Sequence, residues 1–462
     1  MTETIEPEVE PNGQDEYYGL PAELVREIAD AIDEERFDHA IELAEPLHAA
    51  DFADLLEALA PDHRIALVTV MGRRVNPEAL ASLEEAVRDQ IVAQMPISNL
   101  AAAIAELDTD DAAYILAPLD QDTQQLVLAG VPSEEREFLT EALSYPEGTA
   151  GRLMQRDYVA VPQFWTVGHV IDFLRQAEDL PDDFYEIFIV DPRHRPVGRA
   201  TLSRLVRTRR PVVVGNIMDS APRLIPVDME QEEIAYNFEH YDLASAGVVD
   251  PTGRLIGVIT HDDVVDVIRE EAEEDIMRLG GVQEGDLYLA ALGTARSRFT
   301  WLLINLFTAI LASLTIGLFS DTIEQVVALA ILMPIVASMG GNAGTQALTV
   351  AVRAIATREL TRANAVRIVW KEVIVGGVNG VAFAVLAGLV AGLWFADPVL
   401  GVVIGAAMIV NLLVAAFSGV GIPLMLERFG VDPAIAAGVL LTTVTDVVGF
   451  FVFLWLAKIA LL

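Results

Sequence analysis

The chain contains no cysteine, which excludes disulfides, thiolate metal sites and cysteine nucleophiles. Only two lysines occur, Lys371 and Lys458; the rest of the 30 basic residues are arginine. Histidine is absent after His261, so no histidine proton relay or histidine metal site can lie beyond that point. No Walker motif and no catalytic constellation stands out, and the expectation is a protein that is not an enzyme. The N-terminal stretch "MTETIEPEVEPNGQDEYYG" has neither a basic n-region nor an apolar h-region. Without a leader of that kind, residues 1–298 are expected to stay in the cytosol.

What is present divides in two. Over 462 residues, 53% are hydrophobic, yet the net charge is -38. Of 68 acids and 30 bases, 8 acids and 7 bases lie from Phe299 onward, leaving 60 acids and 23 bases before it. The first part therefore carries about 37 negative charges and reads as soluble; the second is near neutral and reads as membrane. A chain poor in lysine and rich in acids suits concentrated salt, where self-repulsion is screened. Most surface acids are assigned to that solvation, and only acids in a special arrangement receive a functional reading.

Residues 20–146 show helical periodicity broken by turn signals. "DFADLLEALAPDHR" (51–64) is echoed by "NLAAAIAELDTDDA" (99–112) and by "AAYILAPLDQDT" (112–123). The echoes point to stacked helical hairpins in a small solenoid, with a plain bundle as the alternative. Residues 147–270 hold a clearer duplication. "FYEIFIVDPRHRPVGRATLSRLV" (184–206) aligns with "LASAGVVDPTGRLIGVITHDDVV" (243–265). Asp191 pairs with Asp250, Gly198 with Gly257 and Thr201 with Thr260. Each copy reads as strand, turn, strand and a capped helix. The pair resembles tandem CBS domains, a regulatory module that commonly binds adenine nucleotides or ions between its copies.

Five apolar segments follow, at about 299–319, 326–352, 373–395, 399–426 and 434–457, each long enough to cross a bilayer at about 20 residues. The connection 353–371 carries Arg353, Arg358, Arg362, Arg367 and Lys371 against Glu359, whereas Asp321, Glu324 and Asp397 mark the first and third connections. Arg296 and Arg298 precede the first span. The positive-inside rule then sets the N-terminus in the cytosol and the C-terminus outside.

Charge within the spans is scarce. Asp446 is the one acid deep in an apolar run, "LLTTVTDVVGFFVFLWLA" (440–457), flanked by Thr442, Thr443, Thr445 and Gly449. A carboxylate at mid-membrane costs roughly 2.5–3.5 kcal/mol on insertion scales and usually faces a pore or cavity. The alternative is a structural hydrogen bond to threonine. The second span holds "LMPIVASMGGNAGTQALTV" (332–350), where Pro334 breaks the hydrogen-bond ladder. Gly340, Gly341 and Gly344 loosen the backbone beside the polar Asn342, Thr345 and Gln346. Close helix packing explains many glycines, since GxxxG spacings recur at 340–344, 376–380, 388–392 and 401–405. It does not explain the amides beside them.

Carboxylate, amide and hydroxyl are hard oxygen donors, which select Mg²⁺ or Ca²⁺ over zinc or copper. One carboxylate per chain is too few for a dehydrated cage. A ring of carboxylates from two or more chains around a hydrated ion suits Mg²⁺, which dehydrates reluctantly. A divalent cation moving inward gains roughly 4.6 kcal/mol per 100 mV of inside-negative potential, so a passive pore is allowed. Ahead of the first span, "ITHDDVVDVIREEAEEDIMRLGGV" (259–282) stacks Asp262, Asp266, Glu270 and Glu274 on one helix face, with Asp263, Glu271 and Asp275 alongside. Such a row is either a solvated face or a divalent-ion site, because unscreened like charges four apart destabilise a helix.

Together, "EGTAGRLM" (147–154), "DDVVDVIREEAEEDI" (262–276), "MGGNAGTQ" (339–346) and "GVDPAIAAGVLLTTVTDVVGF" (430–450) closely resemble the MgtE family of magnesium channels, from about Asp51 to the C-terminus. The fold this implies is multidomain: a cytosolic all-α superhelical N-domain, an α/β tandem CBS pair, a connecting helix and a five-helix α transmembrane domain. The corresponding segments are a disordered acidic N-terminus (1–19), N-domain (20–146), first CBS copy (147–210), second copy (211–268), connecting plug helix (269–298) and pore domain (299–462).

The resemblance further implies a homodimer in the cell membrane, with lipid and Mg²⁺ as its other partners and no nucleic acid. Its pore would hold Mg²⁺ at Asp446 and Asn342 and be lined by Gly340, Gly341, Gly344, Gln346, Thr442, Thr445 and Gly449. Cytosolic Mg²⁺ bound at Asp110, Glu232, Asp242, Asp263, Asp266, Glu271, Glu274 and Asp275 would close it, with ATP as a candidate ligand of the CBS pair. One departure stands out: Tyr114 occupies the position, one turn after Asp110, where the family pattern offers a second acid. Two rival functions remain, a cation exchanger or efflux protein and a membrane-anchored CBS nucleotide sensor.

Overall fold

A computed structural model describes residues 19–177, 180–181, 184–282, 291–361 and 363–462. The expected acidic N-terminus (1–19), apart from Gly19, lies outside the described residues, as do Arg362 and part of the connecting segment, 283–290. The chain forms two compact units, Met1–Glu271 and Ala272–Leu462.

The first unit begins with ten short helices. They are α1 (Ala22–Asp33), α2 (Phe37–Ala44), α3 (Ala49–Ala58), α4 (Pro61–Met71), α5 (Pro77–Ala81), α6 (Glu85–Val92), α7 (Ile97–Ile104), α8 (Thr109–Leu116), α9 (Gln121–Gly130) and α10 (Ser133–Ala142). Most packing is between helices one to three positions apart, such as α1 on α2, α3 on α5, α7 on α9 and α8 on α10. Contacts that advance along the chain in this way build a superhelix rather than a bundle closed on itself. Local chemistry sets the helix starts. Asp120, for example, accepts from the backbone N–H groups of Asp122 and Thr123, both at 3.1 Å, and so caps α9.

The duplicated segment adds α11 (Ala150–Leu153), β1 (Ala160–Pro162), α12 (Val167–Gln176), β2 (Glu186–Val190), β3 (Pro196–Thr201), α13 (Leu202–Arg207), β4 (Leu224–Pro226), α14 (Gln231–Tyr241), β5 (Ser245–Val249) and β6 (Leu255–Thr260). Two three-stranded sheets result, ordered β1-β2-β3 and β4-β5-β6. Their registers repeat: Glu186 pairs with Thr201 in one and Ser245 with Thr260 in the other. Equivalent residues also meet across the copies, where Ser245 Oγ donates to the buried Glu186 carboxylate at 2.9 Å.

The boundary expected at 210/211 cuts through an exchange between the copies. Ala150 and Gly151 donate backbone N–H bonds to Met229 and Val227, and Ala150 and Met154 complete the core of the second copy. Val214 completes the core of the first. The unit ends within α15 (His261–Gly280).

The second unit contains the end of α15, then α16 (Ala291–Gly317), a short α17 (Ser320–Gln325), α18 (Ala328–Ala356), α19 (Ala365–Trp394), α20 (Pro398–Arg428) and α21 (Pro433–Leu461). All five long helices have the length and apolarity of membrane spans. α20 is the central post: α18, α19 and α21 all pack on it. Glycine permits the close approach of α19. A Cβ on Gly401 would stand 2.5 Å from the Gly388 carbonyl oxygen, a distance only a residue without a side chain allows.

Candidate functional site

In the membrane unit, the buried side of α18 carries Leu332, Val336, Gly340, Gly344, Ala347 and Leu348. The opposite side leaves Ser338, Asn342, Thr345, Gln346 and Thr349 exposed in the single chain. Thr345 and Thr349 spend their hydroxyls on their own helix, donating to the Gly341 and Thr345 carbonyls at 3.0 Å. Asn342 makes one long bond, from Nδ2 to Ser338 Oγ at 3.4 Å, and the residue is exposed in the single chain. Polar groups at this depth need protein or water beside them, because lipid offers no partner.

On α21, Asp446 is half-buried. Thr442, Thr443 and Thr445 donate to the carbonyls of Gly438, Val439 and Thr442, respectively. No described residue hydrogen-bonds or ion-pairs with Asp446. The threonine explanation for that carboxylate therefore fails: the hydroxyls are committed to backbone.

Not every expected lining residue reaches the exposed side. Gly340, Gly344, Thr445 and Gly449 are buried. For the three glycines the cause is a helix crossing: Gly344 packs on Leu441, while Gly340 and Gly449 pack on Asn411. Gly341, Asn342, Gln346 and Thr442 remain at least partly accessible.

At the cytosolic unit's acids, burial separates special residues from ordinary ones. Asp110, in the first turn of α8, is 7% exposed, and one carboxylate oxygen has no hydrogen-bond partner. Burial drives its carboxyl well above the usual carboxylate range, with the Asp263 charge reinforcing the shift. Asp111 is pushed up to about 7 and Asp263 to about 6, both mainly by burial. Asp263 and Asp110 are near enough to share a hydrogen bond. Thr260 holds Asp263 through its hydroxyl at 2.6 Å, and Gln155 Nε2 donates to it at 3.2 Å. Two buried acids in contact must share a proton or hold a cation.

The other expected sensor acids are not gathered there. Glu232 and Asp242 lie at opposite ends of α14, with Asp242 in the left-handed conformation at its C-cap (φ 50°). Asp266 is exposed beside Arg269. Glu271 accepts from Gln231 Nε2 at 2.6 Å. Glu274 ion-pairs with Arg278, and Asp275 is engaged as well. Among the described residues, no group of three or more acids or histidines is arranged to hold a metal within the single chain.

Sequence reasoning missed three residues. Asp111 went unnoticed because only packing reveals which face of α8 is covered. Asp432 was signalled by the Asp-Pro that opens α21: it caps that helix through the Ala434 N–H at 2.8 Å and accepts from Arg278 at 2.5 Å. Asn411, uncharged within a long apolar run, gave no alarm. Tyr114, the expected departure, lies under the Arg88 guanidinium, 3.9 Å from ring centroid to Cζ. Arg88 is buried and paired with Asp89 at 3.0 Å. A fixed cation thus stands beside the position where a second acid was expected.

Comparison with known proteins follows the same division. Residues 333–456 match the MgtE family, described as divalent cation transporters. Residues 47–148 match the MgtE intracellular N domain, and residues 214–270 match the CBS domain. The magnesium transporter MgtE of Thermus thermophilus is 33% identical over 427 residues, covering 91% of this chain and 94% of that one. The magnesium transporter MgtE of Bacillus subtilis is 29% identical, covering 89% and 91%. The solved cytosolic domain of the Mg²⁺ channel MgtE in complex with ATP aligns at 30% identity and a TM-score of 0.48, covering 53% of this chain and 99% of that one.

Proposed function

Because the chain belongs to the MgtE family of magnesium transporters, we propose that it passes Mg²⁺ into the cytosol, down the electrochemical gradient, through a pore between two copies of the chain. The observation that carries this reading is the polar side of α18. Ser338, Asn342, Thr345, Gln346 and Thr349 face outward from the single chain at membrane depth. A second copy related by symmetry would enclose them with its own and bring two Asp446 carboxylates to one path. Asp446 then attracts the ion, and the Asn342 carbonyl oxygen and the Thr442 hydroxyl oxygen accept hydrogen bonds from its water shell. The N-terminus lies in the cytosol and the C-terminus outside, in keeping with the arginines between α18 and α19.

The same reading assigns closure to cytosolic Mg²⁺. Asp110 and Asp263 form the first bridge, with Asp111 beside them. Glu232, Asp242, Asp266, Glu271, Glu274 and Asp275 supply further contacts for hydrated ions. Segment limits follow those expected from sequence, with the CBS boundary replaced by the exchange described above. ATP is assigned to the CBS pair as a modulator on the strength of the CBS match. The test is Mg²⁺ current across a planar bilayer holding the purified protein, with Mg²⁺ on the cytosolic face varied. Currents above exchanger turnover that fall as cytosolic Mg²⁺ rises support the reading. Slow, coupled counter-transport would replace it with an exchanger.

A further inference from the structure

Asn411 lies near the middle of α20 and is 0% exposed. Its Nδ2 donates to the Val336 carbonyl at 2.9 Å, a group that a regular α18 ladder pairs with the Gly340 N–H. Its Oδ1 has no partner. The amide fills the gaps left by two glycines on two other helices: a Cβ on Gly340 would stand 2.2 Å from Nδ2, and one on Gly449 would stand 2.7 Å from it. Gly340 is two residues before Asn342. Gly449 is one turn beyond Asp446. One side chain therefore touches the backbone of both helices that carry the proposed ion-contacting residues, next to those residues.

Leucine has the same branching and number of side-chain heavy atoms, though its methyls are bulkier, and it would not bury an unsatisfied oxygen, which carries a desolvation penalty. The compensating gain is directional. An apolar wedge leaves α18 free to turn against α20, whereas the amide bonded to the Val336 carbonyl fixes that helix, and the same side chain seats against α21 at Gly449. Pore selectivity depends on the spacing of the groups around the ion and its water, and sites of this kind must be held within about 0.5 Å.

We propose that Asn411 is a positioning residue that fixes Asn342 against Asp446 and so sets discrimination between hydrated Mg²⁺ and the larger Ca²⁺. The inference rests on the pore reading above. It is tested on the full chain in liposomes by the ratio of Mg²⁺ to Ca²⁺ influx, with thermal unfolding followed in parallel. Asn411→Leu is expected to keep the Mg²⁺ influx but lower the ratio by roughly three- to tenfold, the scale of one net hydrogen bond. Ser418→Ala, a buried polar change on the same helix, should leave the ratio unchanged. If Asn411→Leu does not fold, Asn411→Ala leaves room for water at Val336, and the same fall is expected. A folded variant with the parental ratio overturns the inference. Asp446→Asn separates the two readings. If it loses influx while Asn411→Leu keeps the parental ratio, only the positioning role fails; if it transports like the parent, the pore reading fails.

Discussion

The two units carry their acids at opposite costs. The cytosolic unit is crowded with exposed carboxylates, each nearly free of penalty in water, so an acid there says little until its burial is known. The membrane unit has a single carboxylate deep in an apolar helix, where each charge costs kilocalories. In the first, only three-dimensional packing separates Asp110, Asp111 and Asp263 from dozens of similar residues. In the second, scarcity alone points to Asp446. The informativeness of a residue scales with what it costs to place it.

The comparison can be broken most forcefully at the cytosolic acids. Asp110→Asn combined with Asp263→Asn should leave Mg²⁺ influx intact but raise the internal Mg²⁺ needed for closure by tenfold or more, about 1.4 kcal/mol or more of lost binding. Closure at the parental concentration would return both acids to the solvated background. The packed membrane unit should respond next. Gly401→Leu forces α19 off α20 at the Gly388 carbonyl, and overpacking of this kind costs about 1–3 kcal/mol, measurable as a lower unfolding temperature in detergent.

A pH series sharpens the contrast. Burial makes Asp263 and Asp111 hold protons in the folded unit up to about 6 and about 7, above the 3.8 of an unperturbed aspartate. The folded state then binds more protons than the unfolded one, so their contribution to stability is complete below about pH 4 and lost as pH rises through 6 and 7. In chelator, the cytosolic melting transition of the full chain should fall across that window. Mg²⁺ should restore it at pH 8 and do little at pH 5. The smallest effect belongs to Tyr114→Ala, which removes the ring beneath Arg88 and should cost about 0.5–2 kcal/mol of unfolding free energy.

Much of this was legible in the sequence. Five apolar runs specify five spans, and apolar strands separated by Asp-Pro turns specify the duplicated sheets. Asp446 and Asn342 are visible because polarity inside an apolar helix breaks a local rule. What stayed hidden depends on contacts far apart in sequence. The exchange that packs Ala150 beneath Val227 has no local signature. Neither does the burial of Asp110 and Asp111 against Asp263, more than 150 residues away. Asn411 could have been flagged as an amide in "AAMIVNLLVAA" (406–416), yet only the glycines opposite it give it a role.

The most direct test of the account is Mg²⁺ influx into liposomes by the parent and by Asp446→Asn, which keeps shape and removes charge. The account predicts influx in the parent and its loss in a variant that still folds, because a neutral amide in place of the one deep intramembrane carboxylate no longer attracts the dication. Equal influx in both would contradict it and make Asp446 a residue of helix packing.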